Sequence, residues 1–232
     1  MSTIETRGLT AHYGDFQALF GLDVTLRSGE TTAIIGANGA GKSTFMKAIT
    51  GLIKTAPDMI HIDGAPAGGR DAHTIISQGI AMVPEGRRLF PSLSVEENLL
   101  IGTHAKRSGP WSLDRVYDVF PVLKERRRLS GTSLSGGQQQ MVAIGRALLS
   151  NPTTLLCDEI SLGLAPVVIE ELYRTIAELR SEGLSIVIVE QDVARAVRVA
   201  DQVYCFMEGR VSLSGAAQDI ALEDIRNAYF GI

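Results

Sequence analysis

"TTAIIGANGAGKSTFMKAI", Thr31 to Ile49, is an apolar strand, a glycine-rich turn and a helix start, in that order. Its centre, Gly36–Thr44, reads G-x-x-x-x-G-K-[ST], and strand before with helix after is the setting that confirms a phosphate-binding loop. Gly36, Gly39 and Gly41 let the backbone bend, so that amides along Asn38 and Ala40 point inward. Those amides and the helix N-terminus hold nucleotide phosphates. Lys42 reaches the outer phosphates, the Ser43 hydroxyl ligates Mg²⁺, and Thr44 completes the cradle. A loop of this kind belongs to an α/β protein.

A second chemical stretch follows downstream. "TLLCDE", Thr154 to Glu159, is an apolar strand ending in two carboxylates. An Asp at such a strand end holds Mg²⁺ in P-loop proteins, which fits Asp158. Glu159 then stands at the mouth of the sheet, where it can polarise a water against the terminal phosphate. Further strands are expected at 79–83, 185–189 and 202–207. Amphipathic helices such as 166–180 lie between them, with Pro166 at the first helical position. This alternation gives a mainly parallel sheet flanked by helices. "FGLDVTL" and "MIHIDG" are short, with turn residues between them, and imply an N-terminal antiparallel layer. From about 85 to 150 the strand signal vanishes, and helices are expected at 95–103 and 113–120. The expected organisation is therefore one domain over 1–232. Residues 1–84 and 151–232 form the α/β core, and a helical subdomain is inserted between them. "KERRR", Lys124–Arg128, reads as a solvated helix face.

Composition narrows the function. The chain has 232 residues, a net charge of −4 and 45% apolar residues. The acidic balance argues against a general nucleic-acid binder. No apolar run reaches the length of a membrane span. Cys157 and Cys205 each sit in an apolar run, as buried reduced residues of a cytoplasmic protein do. His12, His61, His73 and His104 show no metal-ligand spacing.

One stretch remains. "LSGGQQQMVAIGRALL", Leu134–Leu149, reads as a helix from Gln138, with Met141, Ile144, Leu148 and Leu149 on one face. Ser135 is a natural N-cap, and two glycines before a helix are costly without a local reason. A bare helix N-terminus there is an anion site.

P-loop, "LSGGQ" opening a helix, and an apolar run into Asp-Glu, in that order, resemble the ATP-binding cassette family over nearly the whole chain. "VPEGRRLFPSLSVEENLLIGT" (Val83–Thr103), "SLGLAP" (Ser161–Pro166) and "VEQD" (Val189–Asp192) are most similar to the ATP-binding subunits of bacterial branched-chain amino-acid importers. The resemblance implies a P-loop NTPase core, ATP and Mg²⁺ as cofactors, and ATP hydrolysis that drives transport through separate integral membrane permease subunits. A solute-binding protein would act indirectly. The chain would sit in the cytoplasm, peripheral on the inner face of the cell membrane, with no nucleic-acid partner.

In that family two cassettes pair head to tail, so Ser135, Gly136, Gly137 and Gln138 would face the partner's terminal phosphate. Tyr13 resembles the aromatic that stacks on adenine, and Leu162–Ala165 the loop that packs across the dimer. Residues 84–88 occupy the Q-loop place, and Arg87, Arg88, Leu89 and Phe90 would contact the permease. Three departures stand out. Glu85 replaces the common Gln near Mg²⁺, Gln191 replaces the common catalytic-site His, and Ile160 replaces the Pro after Asp-Glu. Proline would fix that turn; isoleucine loosens it. The first two are usual in the amino-acid-importer branch. Two other readings are a cassette acting on nucleic acid or ribosomes and an importer ATPase for urea or short amides. The first is disfavoured, because the chain carries no second cassette, no coiled coil and no basic surplus; the second stays open, because nothing in this chain need touch the transported substrate.

Overall fold

The computed structural model describes residues 2–230. Its framework is two sheets and the helices between and around them. β1 (Ile4–Tyr13), β2 (Phe16–Leu26), β4 (Ile60–Ile62) and β5 (Ala65–Pro66) form an antiparallel sheet in the order β2-β1-β4-β5. The larger sheet contains β3 (Thr31–Ile35), β6 (Ile80–Val83), β7 (Thr154–Asp158), β8 (Ser185–Glu190), β9 (Gln202–Met207) and β10 (Arg210–Ala216), ordered β10-β9-β3-β8-β7-β6. All its pairings are parallel except β9 with β10.

The parallel strands are buried on both faces, which is why they read as unbroken apolar runs. Successive side chains of a strand point to opposite faces. Leu155, Cys157, Ile186 and Ile188 accordingly join one core, and Leu156, Val187 and Val189 another. The second core lies between the sheets, where α1 (Lys42–Ile49) brings Phe45, Met46 and Ile49 against β1 and β2 residues such as Leu9, Leu19 and Leu22.

Between β6 and β7, which pair directly, the chain makes α3 (Val95–Leu100), α4 (Leu113–Val119), α5 (Pro121–Glu125) and α6 (Gly136–Leu148). α2 (Ala72–Ser77) precedes β6. Val95, Leu99, Val116, Phe120, Leu123 and Ile144 are continuous with the first core, together with Leu172 and Ile176 of α7 (Pro166–Ser181). The inserted helices are thus fastened to the sheet by shared apolar packing. α8 (Val193–Val199) and α9 (Leu222–Phe230) cover Ala33, Ile35, Val203 and Cys205 with a third, smaller cluster.

Several details differ from the sequence reading. The helix expected over 95–103 stops at Leu100 and continues as a 3-10 turn, Ile101–Ala105. "KERRR" is a helix face only at its start: Lys124 and Glu125 are exposed on α5, which ends there, and Arg126, Arg127 and Arg128 form the turn after it. α6 begins two residues before Gln138, and its start is not bare. Ser135 Oγ accepts from the Gln138 amide at 3.4 Å while Gln138 Oε1 accepts from the Ser135 amide at 3.1 Å, a reciprocal capping box. Gly137 also has a local reason: a Cβ there would lie 2.5 Å from Val168 Cγ1 of α7. Cys157 and Cys205 are buried free thiols.

Candidate functional site

Ligands of open α/β sheets bind beyond the carboxyl ends of the strands. Here the carboxyl ends of β3, β8 and β7 stand side by side, because the three strands are adjacent and parallel. Each delivers one piece of chemistry: β3 the P-loop, β7 the pair Asp158-Glu159, and β8 Gln191. A cleft of about 730 Å³ opens at this point. Its lining includes Tyr13, Asn38, Gly39, Gly41, Lys42, Ser43, Thr44, Glu85, Glu159 and Gln191.

The P-loop turns into α1 at Gly41, whose φ of 100° is one that L side chains rarely adopt. Lys42 is 4% exposed. Its ammonium donates to the carbonyls of Gly36 at 2.7 Å and Ala37 at 3.0 Å, folding the loop onto itself. Burial lowers its pKa, and the carboxylates of Glu159, Asp158 and Glu85 oppose that shift. Ala40, within the loop, is buried.

Ser43 Oγ donates to Asp158 Oδ1 at 3.1 Å, joining the helix start to the end of β7. Asp158 is 2% exposed, and burial pushes its carboxyl up to about 6. Glu159 adopts φ +47°. Its Oε1 lies 3.8 Å from Lys42 Nζ, and its Oε2 accepts from Gln191 Nε2 at 2.8 Å. One carboxylate therefore faces both the P-loop cation and a neutral amide donor.

Tyr13 is half-exposed at the rim, its hydroxyl 3.4 Å from Thr44 Oγ1 and its ring 5.9 Å from Lys47 Nζ. Phe16, Gln17, Ala18, Phe20 and Glu208 also line the cleft, and sequence reasoning missed them; Leu162, expected only in the loop across the dimer, lines it too. The aromatic spacing in "YGDFQALF", beside Tyr13, was the available signal for Phe16 and Phe20.

None of Ser135, Gly136, Gly137 and Gln138 lines this cleft. They lie at the start of α6, with Ser135 exposed. Arg87 is turned toward them: its Nη1 donates to Gln139 Oε1 at 3.3 Å, and its guanidinium flanks Gly136. Arg146 of α6 donates to the Arg88 carbonyl at 2.8 Å and the Arg87 carbonyl at 2.9 Å. Both of those arginines have positive φ, 66° and 49°. Among the four residues expected to contact a permease, Arg88 and Phe90 are exposed, whereas Arg87 and Leu89 are half-buried.

The family profile described as "ABC transporter" matches residues 19–161. The high-affinity branched-chain amino acid transport ATP-binding protein BraG of Pseudomonas aeruginosa is 42% identical over 227 residues, covering 96% of this chain and 97% of that one. The probable branched-chain amino acid transport ATP-binding protein LivF of Archaeoglobus fulgidus is 34% identical, covering 94% and 93%. Among solved structures, the ADP conformation of MJ1267, an ATP-binding cassette of an ABC transporter, superposes with a TM-score of 0.81 at 26% identity, over 98% of this chain and 94% of that one. The dimeric bacterial cassette MJ0796 gives 0.81 at 26% identity, over 94% and 100%. The chain belongs to the ABC transporter family and is an ATP-binding ATPase cassette.

Proposed function

We propose that this cassette is the motor of an importer for branched-chain or other apolar amino acids. The relatives' names support the substrate class. The observation that carries the mechanism is the cleft itself, where Lys42, the Ser43–Asp158 pair and the Glu159–Gln191 pair converge while Ser135–Gln138 stand apart.

In this reading Gly36–Thr44 hold the phosphates of ATP, and Lys42 exchanges the Gly36 and Ala37 carbonyls for phosphate oxygens. Tyr13 stacks on the base. Ser43 and Asp158 would hold Mg²⁺, with Glu85 nearby. An oxygen donor set with a buried carboxylate suits that ion. When bound it neutralises phosphate charge. Glu159 polarises the attacking water and accepts its proton, and Gln191 holds the carboxylate in place. An amide cannot take that proton, so the base is Glu159.

A second cassette, alike or different, completes the site head to tail, its signature residues covering this chain's ATP. Among the described residues no helix is long and apolar enough to cross a membrane. Integral permease subunits therefore supply the path, with Arg88 and Phe90 at the contact, and a solute-binding protein delivers the amino acid. The working position is the inner face of the cell membrane.

ATP-driven uptake tests this. The chain is purified with its co-expressed neighbouring subunits and placed in vesicles, and labelled leucine and labelled urea are compared. ATP-dependent leucine uptake, lost in Lys42→Ala, is expected. Urea uptake without leucine uptake would overturn the substrate class. Failure to associate with any membrane subunit would overturn the motor.

A further inference from the structure

β8 reads "SIVIVE" and is buried along its whole length. Its last residue, Glu190, is a carboxylate only 3% exposed. Such a group is costly to bury unless its oxygens are satisfied. Both are: Ser161 Oγ donates to Oε2 at 2.8 Å, and Tyr173 Oη donates to Oε1 at 2.9 Å. Burial nevertheless raises its pKa. Arg195 lies with its guanidinium 5.8 Å from the Tyr173 ring centroid.

The end of β8 grips one short turn three times. The Val189 carbonyl accepts from the Glu159 amide at 3.0 Å. Glu190 takes the Ser161 hydroxyl, and Gln191 holds the Glu159 carboxylate. Glu159 needs the help, because its left-handed backbone is one a non-glycine residue keeps only when its surroundings impose it. The next residue, Ile160, is buried but carries no ring to fix the turn.

We propose that Glu190 is a positioning residue for hydrolysis, fixing through Ser161 the turn that aims Glu159. This rests on the assignment of Glu159 as the water-polarising group. Glu190 does not line the cleft, and its hydrogen bonds go to Ser161 and Tyr173. It sets a backbone whose displacement by about 1 Å is enough to slow chemistry by up to a hundredfold.

The experiment compares kcat, ATP affinity and Tm of the assembled complex for Glu190→Leu, Glu190→Gln, Ser161→Ala, Tyr173→Phe and the double variant Ser161→Ala/Glu190→Leu. Glu190→Leu and Ser161→Ala should each lower kcat about ten- to hundredfold with ATP affinity within twofold. The double variant should be no slower than Glu190→Leu alone. Glu190→Gln should recover kcat to within about threefold, since an amide can still pair with both hydroxyls. Tyr173→Phe should lower Tm while kcat stays within about threefold, because α7 does not carry Glu159. If Glu190→Leu fails to fold, Ser161→Ala decides alone. Normal kcat in Ser161→Ala, or a fall in Tm without a fall in kcat in Glu190→Leu, overturns the proposal. Glu159→Gln is run beside them. If it is inactive while Glu190→Leu turns over normally, only the positioning role fails. If Glu159→Gln itself turns over normally, the assignment of Glu159 fails.

Discussion

Two helix N-termini in this protein carry glycines and small hydroxyls, and they are not alike. The start of α1 is furnished: Lys42 is buried over it, Asp158 is bonded to Ser43, and a cleft of about 730 Å³ opens in front. The start of α6 is bare of such company. Ser135 and Gln138 cap each other, Gly137 is small because Val168 leaves no room for a Cβ, and the cleft lies elsewhere. A glycine-rich helix start therefore does not by itself define a complete phosphate site. In the proposed function the first binds the nucleotide and attacks it. The second, in the same proposal, serves only against another molecule, the partner cassette.

Four changes probe that contrast. The largest effect is expected from Glu159→Gln, which should cut steady-state ATPase turnover by roughly 10²–10⁴-fold while leaving nucleotide affinity intact. Retained turnover would place the proton acceptor outside the furnished site. Lys42→Ala should weaken ATP by about 1.5–3 kcal/mol, the usual worth of hydrogen bonds to a charged group. Adenosine should bind equally well to both forms, as isothermal titration would show. Arg146→Met leaves the Arg87 and Arg88 carbonyls without their guanidinium, and urea denaturation should register a loss of about 1–3 kcal/mol.

The smallest effect concerns pH. The Glu190 carboxyl is raised by burial above its ordinary 4.5, so the fold binds that proton more tightly than the unfolded chain does. Its contribution to stability is present below pH 4.5 and is lost as pH rises through the raised value. Cys157, Tyr173 and Arg195 are the other titratable groups facing it. In Glu190→Gln, denaturation midpoints should fall less steeply over that range than in the wild type.

How legible the fold was depends on distance along the chain. The P-loop, Asp158-Glu159 and the strands at 31–35 and 202–207 were readable because each is a contiguous run with its own boundary signals. β1 was not, because register shifts around Gly8 break its alternation and leave "IETRGLTAHY" looking irregular. β10 alternates weakly with small and polar residues at a sheet edge, which gave no apolar run to notice. Phe16, Phe20, Leu162 and Glu208 reach the cleft only through tertiary folding. Glu190 lies within "VEQD", yet its partners Ser161 and Tyr173 lie 29 and 17 residues away, beyond any local pattern. A carboxylate closing an otherwise apolar strand was the one available hint.

The most direct measurement concerns the start of α6. ATP is titrated into dilute, demonstrably monomeric wild type and into Ser135→Arg, and the same proteins are then assayed for ATPase with the partner cassette. Equal monomer affinities are expected, since the proposed nucleotide site of the monomer is Gly36–Thr44. With the partner, turnover should fall by more than the roughly 10²–10³-fold expected from losing one preorganised donor, because the long side chain also blocks closure. A large affinity change in the monomer would contradict that expectation, placing Ser135 at its own chain's nucleotide.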